Sequence, residues 1–81
     1  MILNDTIKMM NSDDYKERFR AEYYQLTIRI EKLTSMLSAW KEGKLNFTPI
    51  CNFDLLEAQL NSMKVYQHFL QTRAAIEGVE L

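Results

Sequence analysis

The 81-residue sequence contains few of the residues that crosslink a chain or bind a metal. It has one cysteine, Cys51, and one histidine, His68. A single cysteine excludes a disulfide within the chain, and one cysteine with one histidine cannot supply the four ligands of a structural zinc site. We therefore predict a free thiol, no metal and no cofactor.

Long hydrophobic segments and an excess of charge of one sign are also missing. Ten basic and eleven acidic residues give a formal net charge of −1, which argues against DNA or RNA as a partner because nucleic-acid binding requires a basic surface. No apolar segment approaches the roughly 20 residues that span a bilayer. The N-terminal MILNDTIKMM carries Asp5 and Lys8 among its hydrophobic residues and does not resemble a signal peptide. These features predict a soluble cytoplasmic protein with no membrane partner.

Enzyme motifs are scarce as well. There is no glycine-rich phosphate loop and no nucleophile elbow. We predict that His68 faces solvent on the outer side of a helix rather than acting as a general base. Asp13, Asp14 and Glu17 are explained by the preference of a helix N-terminus for negative charge. Cys51 is predicted to be buried as a small hydrophobic residue rather than reactive, and the protein is predicted not to be an enzyme.

The sequence does contain a long first segment with helical periodicity, predicted at about residues 12–42. Asn11 or Ser12 is expected to cap its start, and Gly43 is expected to end it. Its apolar positions alternate in steps of four and three through three heptads, the spacing of a helix-packing seam. These positions are Phe19, Tyr23, Leu26, Ile30, Leu33, Leu37 and Trp40.

A second helix is predicted at about residues 52–77. Asn52 or Asp54 is expected to start it, and the Asp54–Glu57 spacing is that of a capping box. Gly78 is expected to end it in a left-handed conformation, with Val79 folding back onto the last turn. Its seam contains Phe53, Leu56, Leu60, Met63, Gln67, Leu70 and Ala74.

Two helices of similar length with a short connection should pack antiparallel. The predicted fold is therefore all-α, an antiparallel two-helix hairpin in one domain spanning residues 1–81. Its parts are an N-terminal extension (1–10), the first helix (11–42), an apolar connector (43–51), the second helix (52–77) and a tail (78–81).

Each predicted helix also carries apolar residues outside its seam. An exposed apolar surface of this extent usually marks an interface. A twofold dimer forming a four-helix bundle would cover it, and a higher oligomer of the chain is the other form of self-association that would do so. The predicted oligomer interface contains Tyr24, Ile28, Val65, Tyr66, Phe69 and Ile76. The alternative is that the apolar N-terminal residues Met1 to Met10 dock on this surface as a short third element.

The connector segment LNFTPICNF is unusually apolar for a link between helices. Pro49 disfavours helix at Thr48 and keeps the chain extended. Three explanations are a binding site, a metal or redox site, and a cover for the open end of the hairpin. The third is preferred, with Leu45, Phe47, Ile50 and Phe53 placed over the end of the core near Leu37 and Trp40.

A segment rich in arginine and tyrosine, YKERFRAEYY, is the best candidate for ligand binding. In an antiparallel hairpin the start of the first helix lies beside the end of the second. Arginine binds phosphates or carboxylates, and tyrosine stacks on bases or fills protein grooves. The candidate ligand-binding residues are Arg18, Arg20, Tyr23, Tyr24, Tyr66 and Arg73. The alternative is ordinary surface ion pairs, Glu17–Arg20 and Glu22–Arg18, with the tyrosines at a dimer interface.

Several short stretches together resemble a known family. DYKERFRAEY, IEKL, GKLNFTP, LLEAQLNSMKVY and a near-terminal R-x-x-IEG resemble short phage and prophage proteins, a helical-hairpin family named after a reading frame of a crAss-like phage. The resemblance covers roughly Asp14 to Gly78. Residues 1–9 precede the point where such proteins often start.

The resemblance implies a phage protein in the cytoplasm of an infected bacterial host, and small non-catalytic phage proteins are often counter-defence factors. One implied function is an oligomeric sponge that sequesters a nucleotide-derived immune signal, such as a cyclic nucleotide, in pockets between subunits. Another is an inhibitor or adaptor that binds a host defence protein directly. A third is a structural accessory component of the phage particle.

Overall fold

The structure is a computed structural model that describes residues 1–81, and it is all-helical. A 3₁₀ turn (Leu3–Thr6) leads into the short α1 (Ile7–Met10), followed by the long α2 (Tyr15–Lys41) and α3 (Phe53–Glu77). α2 and α3 pack antiparallel, and the molecule measures 43 × 24 × 17 Å. The predicted hairpin with an N-terminal extension is confirmed.

The start of α2 differs from the prediction. Asp14, not Asn11 or Ser12, is the cap, and its Oδ1 accepts a hydrogen bond from the Lys16 backbone N–H at 2.9 Å. The Ser12 hydroxyl oxygen instead accepts from the Asp14 N–H at 3.0 Å. The predicted start was therefore too early, because these residues form the turn that separates α1 from α2. Gly43 follows the helix with φ +69°, as expected.

The ends of α3 match the sequence signals more closely. Asn52 caps the helix by accepting from the Leu55 N–H at 2.8 Å, so the predicted Asp54–Glu57 capping box was wrong. Gly78 has φ +72°, in the left-handed region that favours glycine. The Val79 N–H donates to the Ala74 carbonyl at 2.9 Å, and its side chain is buried. The predicted fold-back of Val79 is confirmed.

The core is the seam between the two long helices. Leu70 is fully buried in this seam, and the half-buried Tyr23, Leu33, Trp40 and Met63 pack against the buried cluster. Eleven of 81 residues are buried. A core this thin leaves apolar residues of both helices outside the seam. The buried cluster contains Phe19, Leu26, Ile30, Leu37, Leu60, Leu70, Ala74 and Val79.

The N-terminal extension packs against α2. Thr6 is completely buried; its hydroxyl donates to the Leu3 carbonyl at 2.7 Å and accepts from the Gln25 side-chain amide at 2.9 Å. Ile28 is buried, and Tyr24 is half-buried. The extension thus lies on the α2 part of the predicted outer apolar surface, as in the alternative arrangement, and the residues on α3 remain exposed.

The predicted cover over the end of the core is right for Phe53 and wrong for Phe47 and Ile50. Phe47 is 55% exposed and Ile50 is fully exposed, and Cys51 is an exposed rather than a buried thiol. The end of the hairpin is closed by Trp40 and Phe53, whose rings meet edge to face at 5.4 Å. Because Phe53 already covers the core from the first turn of α3, Phe47 and Ile50 stay outside, while Leu45 is half-buried.

Candidate functional site

Two of the arginines proposed for ligand binding bind the chain itself. Arg18 donates to the Ser12 carbonyl at 2.8 Å and Arg20 donates to the Glu80 carbonyl at 2.6 Å. Both contacts hold terminal segments against α2, so the two guanidinium groups do not face a common pocket.

Arg73 belongs to a tie between the end of α3 and the start of α2. It donates to Glu77 at 3.0 Å and to the Tyr15 hydroxyl at 2.9 Å, and lies 5.0 Å from the Phe19 ring centre. The Tyr15 hydroxyl donates to Glu77 at 2.5 Å. This hydrogen bond raises the pKa of Tyr15. Hydrogen bonds from Tyr15 and then Arg73 lower the pKa of Glu77. The cluster fastens the two helices together.

The tyrosines are also dispersed. The Tyr23 hydroxyl accepts from the Gln71 side chain at 3.0 Å, and its ring meets that of Tyr24 edge to face at 5.9 Å. Tyr66 is 44% exposed, beside a small cleft that it shares with Arg29. The structure therefore does not bring the predicted arginines and tyrosines into one site.

The ion pairs that were the alternative explanation of the arginine–tyrosine segment are also absent. Neither Glu17–Arg20 nor Glu22–Arg18 forms; the only ion pair involving a predicted site residue is Arg73–Glu77. The arginines at the start of α2 are occupied by backbone carbonyls instead.

A groove along the side of the hairpin is a stronger candidate site. It has a volume of about 420 Å³ and lies between α2 and α3, with Leu3 of the extension as a third wall. Most of its lining is apolar. The lining residues are Leu3, Arg29, Lys32, Leu33, Met36, Leu56, Gln59 and Met63.

The groove continues in both directions along the hairpin. Met36 and Leu56 also line a second apolar depression of about 450 Å³, formed with connector residues 47–51. Arg29 also lines the cleft beside Tyr66. The exposed Phe47 and Cys51 therefore line a depression next to the groove, and Tyr66 lines a separate cleft that shares Arg29 with it.

Two cationic side chains of α2 stand at this groove without partners. Arg29 and Lys32 are exposed, and neither forms an ion pair or a side-chain hydrogen bond within the chain. They are three residues apart and therefore neighbours on the helix surface. An apolar groove with two free cations suits an amphipathic anion, whose flat apolar part packs on the groove while its phosphates or carboxylates meet the cations.

Arg29 and Lys32 are not among the predicted site residues, although the sequence around them carries a signal. Neither has an acidic residue three or four positions away in either direction, so neither can form the usual ion pair on its own helix. Both also flank the apolar seam near Leu33.

The fold is a small all-helical hairpin with an amphipathic lateral groove. The chain belongs to the Sequestin family, whose family model matches residues 13–76. The matched range includes both long helices and the connector, and leaves Leu3 outside. It agrees closely with the segment Asp14 to Gly78 that carries the resemblance described above.

Searches of curated proteins and of solved structures gave no match. None of the helices has the length and apolar character needed to cross a membrane.

Proposed function

We propose that this chain is a non-catalytic, phage-encoded counter-defence protein that binds and sequesters a nucleotide-derived immune signal. The name of the Sequestin family indicates sequestration of a molecule. The observation that carries the proposal is the apolar groove with Arg29 and Lys32 unpaired at its edge. These two surfaces match the two parts of a nucleotide, a base whose flat faces stack on apolar surface and an anionic phosphate.

In the proposed complex, Arg29 and Lys32 bind the phosphates through charge-assisted hydrogen bonds. The base packs on the apolar wall near Leu33 and Met36, and the Gln59 amide is available for a polar edge of the base. Sequestration requires affinity and abundance and no bond making or breaking. The groove accordingly takes the place of the arginine–tyrosine cluster as the proposed ligand site.

The proposal includes self-association. We propose that two hairpins form a four-helix bundle through the exposed face of α3, so that ligand pockets lie beside the subunit interface. Support comes from Val65, Phe69 and Ile76, which are 56%, 61% and 80% exposed. Ile28 is already buried within the chain, and the α2 part of the predicted interface is therefore left out.

Thermal denaturation with a panel of cyclic nucleotides and ADP-ribose derivatives tests ligand binding, because a ligand that binds the folded state raises Tm. For a ligand found in this way, Arg29→Ala/Lys32→Ala should weaken binding in calorimetry by about tenfold or more per charge, since a hydrogen bond to a charged group contributes about 1.5–3 kcal/mol.

The matched control is Lys16→Ala/Lys64→Ala, which removes two exposed cations away from the groove. It should bind the ligand as the wild type does. A panel that leaves Tm unchanged, or equal losses in the two double variants, would overturn the proposal.

The exposed face of α3 supports a second candidate, direct inhibition of a host defence protein. A hydrophobic helix face is a common recognition surface for a protein groove. Pull-down from host lysate should then recover a stoichiometric partner, and Phe69→Glu should abolish its capture while Arg29→Ala/Lys32→Ala leaves it intact. The opposite pattern favours the ligand-binding function.

A further inference from the structure

One wall of the candidate groove is formed by the N-terminal extension. Leu3 lines the groove together with Leu56 and Met63 of α3, although the extension packs only on α2 and not against α3. The Sequestin match begins at residue 13, so this wall comes from a segment outside the matched range. A molecule that fills the groove therefore contacts the extension and α3 at the same time.

Few side chains hold the extension on α2. Thr6 is its one buried residue, and the Thr6 hydroxyl joins the Leu3 carbonyl and the Gln25 amide at 2.7 and 2.9 Å. Ile2 and Ile7 stay 62% and 51% exposed. The helix α1 has four residues, too few to remain helical without support from α2. An element that buries so little apolar surface undocks locally while the rest of the protein stays folded.

We infer that residues 1–10 are a movable wall whose docking is coupled to occupation of the groove, and that Leu3 carries this coupling. The inference rests on the proposed function for the location of the ligand. A ligand that contacts both Leu3 and α3 is stabilised by the Leu3 contact only in the docked state, so binding shifts the extension towards docking. Because such linkage is reciprocal, the docked extension raises the affinity for the ligand by the same factor.

The position of Leu3 also sets a requirement on the ligand. Arg29 and Lys32 line the same groove, so the wall docks beside two cations. A ligand whose apolar part reaches Leu3 while its anionic part meets the cations gains from the docked wall. Inorganic phosphate meets the cations but has no apolar part to contact Leu3. The coupled wall therefore selects amphipathic anions over small inorganic anions.

Amide hydrogen exchange with anilinonaphthalene sulfonate, an amphipathic anion with a flat apolar ring system, tests the coupling. The Asn11 N–H is bonded to the Ile7 carbonyl at 3.2 Å, so its exchange reports on the docked extension. A saturating concentration of the probe should slow this exchange by about tenfold, a typical coupling between two sites. Inorganic phosphate at the same ionic strength should not slow it.

Leu3→Ala and Ile2→Ala are the matched variants. Each removes one aliphatic side chain from the extension, but Leu3 lines the groove and Ile2 lines none of the pockets. The measured quantity is the ratio of the Asn11 exchange rates without and with the probe, since a purely structural effect of a substitution changes both rates alike. The ratio of about tenfold should persist in Ile2→Ala and be lost in Leu3→Ala.

The affinity for the probe provides the reciprocal measurement. In fluorescence titration, Leu3→Ala should bind anilinonaphthalene sulfonate about tenfold more weakly than the wild type, and Ile2→Ala should bind it as the wild type does. Asn11 exchange that the probe leaves unchanged, or that slows equally with phosphate or in Leu3→Ala, overturns the inference. No nucleotide is present in these measurements, so their failure is distinct from a failure of the cyclic-nucleotide panel to bind.

Discussion

The buried hydroxyl of Thr6 provides a sensitive test of how the N-terminal extension is held. Thr6→Val keeps the shape of the side chain and removes its hydroxyl group. In the structure that hydroxyl is fully buried and makes two hydrogen bonds, to Leu3 and from Gln25. Because Leu3 forms one wall of the groove, the attachment of the extension also determines the shape of the candidate site.

The expected cost follows from those two hydrogen bonds. Each contributes about 0.5–1.5 kcal/mol net, so their loss should cost about 2 kcal/mol. The hairpin does not depend on the extension for its core, and the cost should therefore appear as local undocking rather than global unfolding. A change of 2 kcal/mol raises the undocked population by about 30-fold.

Amide hydrogen exchange measures this population. The Asn11 N–H, bonded to the Ile7 carbonyl at 3.2 Å, should exchange about 30-fold faster in Thr6→Val, while the Leu70 amide in the core is unchanged. Thr6→Ser is the control, since it keeps the hydroxyl and loses one methyl group, worth about 0.8 kcal/mol. Exchange in Thr6→Val that is no faster than in Thr6→Ser would refute the role of the hydrogen bonds.

Two further predictions concern stability. Phe47→Ala should lower the free energy of unfolding by about 1 kcal/mol or less. Burying a whole phenylalanine is worth about 1.5–3 kcal/mol, and Phe47 is 55% exposed. Leu70→Ala, at a fully buried position, should lower the free energy of unfolding by about 2–5 kcal/mol. Chemical denaturation measures both, and equal losses would contradict the exposed connector. The Glu77 pKa lies below its ordinary 4.5, so its stabilisation is present above that pH and is lost as pH falls through the lowered value. The Tyr15 pKa is raised above 10.0, so its contribution is lost as pH rises through the raised value. A Glu77→Gln variant should lose the acid-side dependence of Tm, and an unchanged acid profile would exclude this carboxylate as the cause.

Much of the hairpin could be predicted from the sequence. The alternating steps of the two seams identified the buried core residues Phe19, Leu26, Leu60 and Leu70, since burial on a helix follows its periodicity. Gly78 marked the end of α3 because a left-handed position favours a residue without a side chain. The cap of α2 was harder to place, because four successive residues from Asn11 to Asp14 can all cap a helix.

The position of the connector side chains and the candidate ligand site could not be predicted from helical periodicity. Apolar composition alone does not show which side chains of a loop face the core: Phe53 packs on Trp40 as predicted, whereas Phe47 and Ile50 stay exposed. An arginine can also bind a backbone carbonyl that is distant in the sequence. Arg20 does so at Glu80, 60 residues away, and the sequence does not show such a contact. The groove depends on Leu3, whose position is set by long-range packing of the extension on α2.

The most direct test of sequestration is recovery of the ligand after binding. The protein is incubated with the panel of cyclic nucleotides and ADP-ribose derivatives, unbound molecules are removed by filtration, and the retained protein is heat-denatured. Chromatography and mass spectrometry of the released material should show one compound, chemically unchanged and in stoichiometric amount, that Arg29→Ala/Lys32→Ala fails to retain. Retention of no compound, or release of a chemically altered product, would contradict a protein that acts by binding alone.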